Sequence, residues 1–249
     1  MTTGGTKTMK TGGGWRRGLW LAPLSLAVLA FLAYVLPPYL TLDPSRSRIP
    51  PPPAHPVYYP ILVLHVGCAA IAMASGLAQI WTGVKGAPPG FHRLLGRVYV
   101  FCGVLPAGVM ALALSTMGQF GPVLIASDVT LATLWLTATI TGYRMMRRGQ
   151  VAAHRRWMTR SYALTLSIIS NRLWLPVVAA TLAPHLATTF QGNETLMYYA
   201  IAGLAGWMGW VLPLILTEWV IVGRVGAERG AAKRPERAPS PVLTGGPAN

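Results

Sequence analysis

The sequence predicts an all-α fold, a polytopic membrane helix bundle of six transmembrane helices with both termini cytoplasmic. Three observations carry this. Hydrophobic residues make up 53% of the 249 residues and charged ones only 11%, against about 25% charged in an ordinary soluble domain. The apolar residues fall in unbroken blocks longer than 18 residues, the length needed to cross a hydrocarbon core of about 30 Å, instead of interleaving at period 3.6 or 2. The basic residues alternate in density from one connection to the next, which sets orientation.

Residues 1–17 form a Thr/Gly-rich cytoplasmic N-terminus without apolar periodicity, expected to be disordered. The six-helix transmembrane domain covers residues 18–223. Its first span, about 19–42, follows Arg16 and Arg17 but is longer than a signal-peptide core and has no A-x-A site before Pro37 and Pro38; it reads as a retained helix. Residues 43–56 hold prolines at 50–53 and 56, which predicts extended polyproline. The second span is placed at 58–84, the third at 94–117, a tight turn at 118–122, the fourth span at 123–146, the fifth at 157–182 and the sixth at 195–222. Residues 224–249, rich in Arg, Pro, Gly and Ala, predict a disordered cytoplasmic tail.

Of the 21 Lys and Arg residues, 18 fall on one side of this arrangement and two, Arg46 and Arg48, on the other; Arg172 lies within a span. One span more or fewer would destroy the alternation, so the arginine-rich side is read as cytoplasmic, in a multi-pass protein of the cell membrane. The net charge of +15 then describes a partnership with the bilayer and its anionic headgroups, not with nucleic acid. Oligomeric state is not legible. Cys68 and Cys102 lie inside spans with no metal-ligand spacing and read as small buried apolar residues. There is no GxSxG, HExxH or Walker A string and no carboxylate pair, so hydrolytic chemistry has no support. Asn193-Glu194-Thr195 matches a glycosylation sequon, a pattern too short to argue from.

Ionisable residues inside a bilayer are expensive, and are paired or functional. Two groups stand out. In the outer half, Arg172 on the fifth span requires a partner, and Asp128 on the fourth is the acid at similar depth. An Arg172–Asp128 pair with His65 near it and Asn171 adjacent is expected, either as an ion pair pinning the helices or as a polar pocket for a headgroup, a quinone or a proton. At the cytoplasmic face the third span opens His92-Arg93-Leu94-Leu95-Gly96-Arg97-Val98-Tyr99 and the fifth opens His154-Arg155-Arg156-Trp157-Met158-Thr159-Arg160-Ser161-Tyr162. The shared HR, R-x-Y pattern suggests a parallel repeat of two hairpins that places His92 and His154 at equal depth. Glu218 neutralises a nearby arginine in this reading, and Gln79 lies level with it. Two imidazoles on different helices, ringed by Arg93, Arg97, Arg155 and Arg160 and supported by Gln79, Tyr99, Ser161 and Glu218, suit the axial positions of a b-type haem with guanidinium partners for the propionates. The same set suits a quinone, an anionic lipid headgroup or a phosphate-bearing ligand, and it is also what interfacial residues of ordinary basic loops look like. No other metal is implied, and whether the protein is an enzyme stays open. His55 and His185 fall in the opposite connections.

The strings LHVGCAAIAMASGLAQ, FHRLLGRVYVF and RRGQVAAHRRWMTRSYALTLSIISNRLWLP resemble the bacterial family of predicted membrane proteins known as domain of unknown function 2306, over about residues 62–176. By this resemblance the family's motif positions match His65, Gln79, His92, Arg93, Gly96, Arg97, Tyr99, His154, Trp157, Met158, Arg160, Ser161 and Arg172. The family carries no established activity, so the resemblance supports the residues and not a reaction. The architecture is more distantly similar to the six-helix transmembrane b-type cytochromes that are reduced by ascorbate. Those hold two haems on two histidine pairs, whereas this chain has one pair of equal depth and leaves His65 unmatched. A small transporter, a lipid-interacting protein built on Arg172, Asp128 and His65, or a non-catalytic assembly factor are the alternatives.

Overall fold

The computed structural model describes residues 21–86 and 88–232. They are helical throughout, with no strand among the described residues. In chain order the elements are α1 (Leu21–Val35), α2 (Pro37–Leu40), α3 (Tyr58–Lys85), α4 (Pro89–Thr116), α5 (Pro122–Arg147), α6 (Val151–Thr165), α7 (Ser167–Leu182) and α8 (Glu194–Ala232). By length and apolar composition α3, α4, α5 and the Glu194–Gly223 part of α8 each suffice to cross a membrane. α6 and α7, bent by 41° where they join, have the length and apolar composition for a further crossing only when taken together. α1 is a shorter apolar helix of 15 residues.

The helices run alternately up and down. Trp81 donates to Ser25 Oγ (2.9 Å), joining α1 to α3. His65 meets Ala107 and Gly103 abuts Ala72, so α3 and α4 are antiparallel. Gly121 and Gly203 pack on Tyr199 and Val123, so α5 and α8 start at the same end. That end also gathers the proline-rich loop, since Gln119 donates to the Pro50 carbonyl (2.6 Å). The connections around 86–88 and 148–150 lie at the other, arginine-rich end. Gly86, φ +69°, closes α3 there in the left-handed conformation that glycine adopts without strain. The main core lies between the helices at mid-height, built on Ala72, Tyr99, Val104, Trp135 and Tyr162.

Several boundaries differ from the sequence reading, each for a local reason. Pro37 and Pro38 separate α1 from α2, so residues 19–42 are not one helix. The 43–56 stretch carries a 3₁₀ turn at Pro44–Arg46, held by Ser45 N–H on the Asp43 carboxylate (3.0 Å), where uninterrupted polyproline was expected. α4 begins at Pro89, not at 94, because proline suits the first helical turn, where its missing N–H has no intrahelical partner to lose. The expected fifth span begins at Val151 and is broken around Leu166, where the Thr165 hydroxyl bonds back to the Ser161 carbonyl (3.0 Å). α8 continues to Ala232, so residues 224–232 are helical where a disordered tail was expected. The expectations for 1–17 and 233–249 lie outside the described residues.

Within α4, Val98–Val104 is a π-helical segment. Pro106 cannot donate to the fourth carbonyl before it, and the wider turn absorbs this, with Leu105 N–H bonding to the Val100 carbonyl. A side chain at Gly103 would overlap the Ala72 backbone, whereas nothing lies within 4 Å of one at Gly67. Gly103→Leu is therefore expected to cost about 1–3 kcal/mol of stability through overpacking and Gly67→Leu little. Thermal unfolding of the two variants in mild detergent checks the contrast.

Candidate functional site at the arginine-rich end

His92 lies in the first turn of α4, where two contacts tie it to the last turns of α3. Gln79 Nε2 donates to the His92 carbonyl (2.6 Å), and His92 Nδ1 lies 3.1 Å from Thr82 Oγ1. The Thr82 hydroxyl proton is committed to the Gln79 carbonyl (2.8 Å), so Nδ1 must be the donor and Thr82 the acceptor. Glycine at 96 leaves room for the same contact, since a Cβ there would stand 2.9 Å from Gln79 Nε2 and displace the end of that side chain.

His154, in the first turn of α6, sends Nδ1 to the Gly142 carbonyl on α5 (2.9 Å). A carbonyl only accepts, so Nδ1 again carries the proton. α6 comes this close because residue 142 has no side chain: Met158 and Trp157 occupy that space. In the neutral form of each imidazole the lone pair then falls on Nε2, the arrangement in which one ring nitrogen is fixed by an oxygen and the other is left to bind a ligand.

The faces bearing the two histidines are oriented from deeper in the bundle. Tyr99, seven residues past His92, bonds through its hydroxyl to Ser161 Oγ (2.7 Å), seven residues past His154. Seven residues are close to two helical turns, so a contact between 99 and 161 turns the faces carrying 92 and 154 toward each other. The Tyr99–Ser161 bond belongs to a larger fully buried network joining α4, α5 and α6. Thr165 accepts from Tyr99 (2.8 Å) and from Trp135 Nε1 (3.0 Å), and Thr139 bonds to Ser161 (2.6 Å). Because Thr165 gives its own proton to the Ser161 carbonyl, Tyr99 must donate to Thr165 and Ser161 to Tyr99, while the Thr139 proton is shared between the Trp135 carbonyl (2.8 Å) and Ser161. Trp135, Thr139 and Thr165 were not singled out from the sequence. A Trp and two Thr in an apolar span read as filler, and only the Trp, which needs a partner for its N–H when buried, signals more.

Arg160 is bound bidentately by Glu218 on α8, Nε to Oε1 at 2.5 Å and Nη2 to Oε2 at 2.8 Å, and lies 4.8 Å above the Trp157 ring. Its charge is already answered, so it is a brace between α6 and α8 and not one of the ligand-facing cations expected of it. Arg93, Arg97 and Arg155 are exposed and make no ion pair among the described residues.

The expected outer-half cluster does not assemble. His65 donates from Nδ1 to the Ala107 carbonyl (2.9 Å). Asp128 shares the helical face of Trp135, two turns on, and looks into the bundle. Asn171 abuts Gly209 of α8, which turns the next residue, Arg172, outward to an exposed face. Arg172 and Asp128 make no pair: α8 packs against both α5 and α7, while those two share no extended contact. Equal depth was the basis of the expectation, and depth does not determine which way a residue faces. Cys68 and Cys102 are free thiols.

Apolar helices long enough to cross a bilayer, joined by polar contacts satisfied internally, define a polytopic helical membrane protein. The chain belongs to the family described as Predicted membrane protein (DUF2306), whose model matches residues 62–221. No curated protein and no solved structure matches it.

Tyr99→Phe removes the hydroxyl that joins Ser161 to Thr165 and is expected to destabilise the fold by about 1–3 kcal/mol, the range for leaving buried polar groups unpaired. Denaturation in detergent measures the loss, and hydrogen exchange along α6 reads out where it falls.

Proposed function

We propose that the chain crosses the cell membrane six times, with both termini cytoplasmic, and that His92 and His154 at the cytoplasmic face hold one b-type haem in a membrane redox component. The orientation follows from the 18 basic residues on one side against two on the other. The observation that carries the ligand is the matched state of the imidazoles. Each gives Nδ1–H to a fixed oxygen, on Thr82 and on Gly142, and each keeps Nε2 for iron. The donor set suits the group: the imidazoles of His92 and His154 would hold the iron, and Arg93, Arg97 and Arg155, with no carboxylate of their own among the described residues, would pair with the propionates. Haem supplies one-electron transfer between a cytoplasmic donor and an acceptor in the membrane. The chain's own part is to fix the tautomers through Thr82, Gln79 and Gly142, to hold the two helix faces together through Tyr99 and Ser161, and to supply positive charge.

A quinone bound between the same histidines is the second reading. Its support is the position of His92, exposed at the rim of the bundle beside the exposed apolar Phe91 and Leu94, a surface a lipid-soluble ring can approach. Transport through the outer-half residues loses its support, because Arg172, Asp128 and His65 do not line a common space.

Protein purified in mild detergent is expected to show a Soret band and about one extractable haem per chain, consistent with one bis-imidazole site. His92→Ala and His154→Ala should each abolish the band, while Gly67→Leu keeps it. Absence of the band, together with no tight binding of added haemin, removes the haem reading. Saturable binding of a short-chain quinone, lost in both histidine variants, would then favour the second.

A further inference from the structure

Arg172 is a charge inside the spans that nothing in the described structure answers. It lies on α7 ten residues before Leu182, about 15 Å below that helix end at 1.5 Å per residue, and its side chain is on the exposed face with Ile168, Leu173 and Val177. It makes no hydrogen bond or ion pair among the described residues. A guanidinium cannot shed its proton, and a charge at this depth is found paired or beside water. The chain's own acids do not serve. Asp43 pairs with Arg46 and Glu218 with Arg160. Asp128 faces the bundle interior, Glu194 opens α8 at the proline-rich end, and Glu228 comes after the apolar part of α8 toward the opposite end; with the two pairs above, these are the acids of the described residues. A second copy brings the same inventory and so no acid that meets Arg172 at its depth.

We propose that the exposed face of α7 docks a transmembrane helix of another protein, apolar along its length and carrying one carboxylate level with Arg172. Charge complementarity selects this occupant: Ile168, Leu173 and Val177 offer apolar contact to a helix, and the single cation among them specifies an acid. The proposal is independent of the haem site, which lies at the other end of the bundle.

The test uses the full chain in phosphatidylcholine vesicles, fluorescently labelled, with a synthetic leucine-rich transmembrane helix carrying one central Glu, and the same helix with Gln. Energy transfer is expected to show the Glu helix binding at least about tenfold more tightly, a difference of about 1.4 kcal/mol. Arg172→Gln and Arg172→Leu should erase the difference and Arg172→Lys should retain part of it, with circular dichroism confirming that each variant is folded. Equal binding of the two helices to the wild-type chain overturns the proposal. So does loss of the Glu preference on adding phosphatidylglycerol, which assigns Arg172 to lipid phosphate, or Arg172-dependent self-association of the chain without peptide, which assigns it to a second copy.

Discussion

A hydroxyl buried among apolar helices has no water to fall back on, and this constraint organises the centre of the bundle. Tyr99, Ser161, Thr139, Thr165 and Trp135 satisfy one another across α4, α5 and α6, and every member is fully or nearly buried. Such networks favour a single packing, because any rotation of one helix leaves several donors unpaired at once. The π-helical segment of α4 belongs to the same solution. It begins one residue before Tyr99, removes the problem of Pro106, and lets Gly103 press against Ala72, so the helix that carries His92 has its rotation determined on two sides.

This network also accounts for an asymmetry between the two HR strings. They differ by one residue in spacing to the tyrosine that follows, Tyr99 after His92 and Tyr162 after His154. In space the counterpart of Tyr99 is not Tyr162 but Ser161, at the same seven-residue step from its histidine. Tyr162, one residue further and rotated by about 100° in a 3.6-residue turn, leaves the network and donates instead to the Met73 carbonyl on α3 (3.2 Å), packing against Gly76. The two motifs are thus similar in sequence and complementary in space, one supplying the phenol and the other the serine that receives it.

What could be read from the sequence was the part encoded by hydropathy and charge. Apolar blocks locate the apolar parts of α3, α4, α5 and α8, because transfer out of water depends on composition and length, but they miss the first turn of α4 and the polar end of α8. The bend between α6 and α7 was not legible, since no proline or glycine stands at the break around Leu166. The buried network was not legible either, since Ser and Thr barely disturb an apolar block and their partners lie up to 66 residues away. The arginine-rich surface showed its candidate residues but not their division of labour. Arg160 and Arg155 are indistinguishable in sequence, and only the position of Glu218 on α8 separates the brace from the exposed cation.

The contrast between the two halves of the molecule follows from how each charge is compensated. At the arginine-rich end, Arg160 gains two hydrogen bonds and an aromatic face, and water reaches the remaining cations. Removing Arg93, Arg97 or Arg155 would therefore leave the folded chain largely intact, and the reason for their placement has to be sought in a ligand or a surface and not in the fold. Arg172 is the opposite case. It stands on the exposed face of α7 among Ile168, Leu173 and Val177, and no partner among the described residues answers it. Nothing in the packing of the described helices accounts for a cation at that position. The fold itself is accounted for by the hydroxyl network and the small-residue crossings, and function is to be looked for where charges stand without that justification.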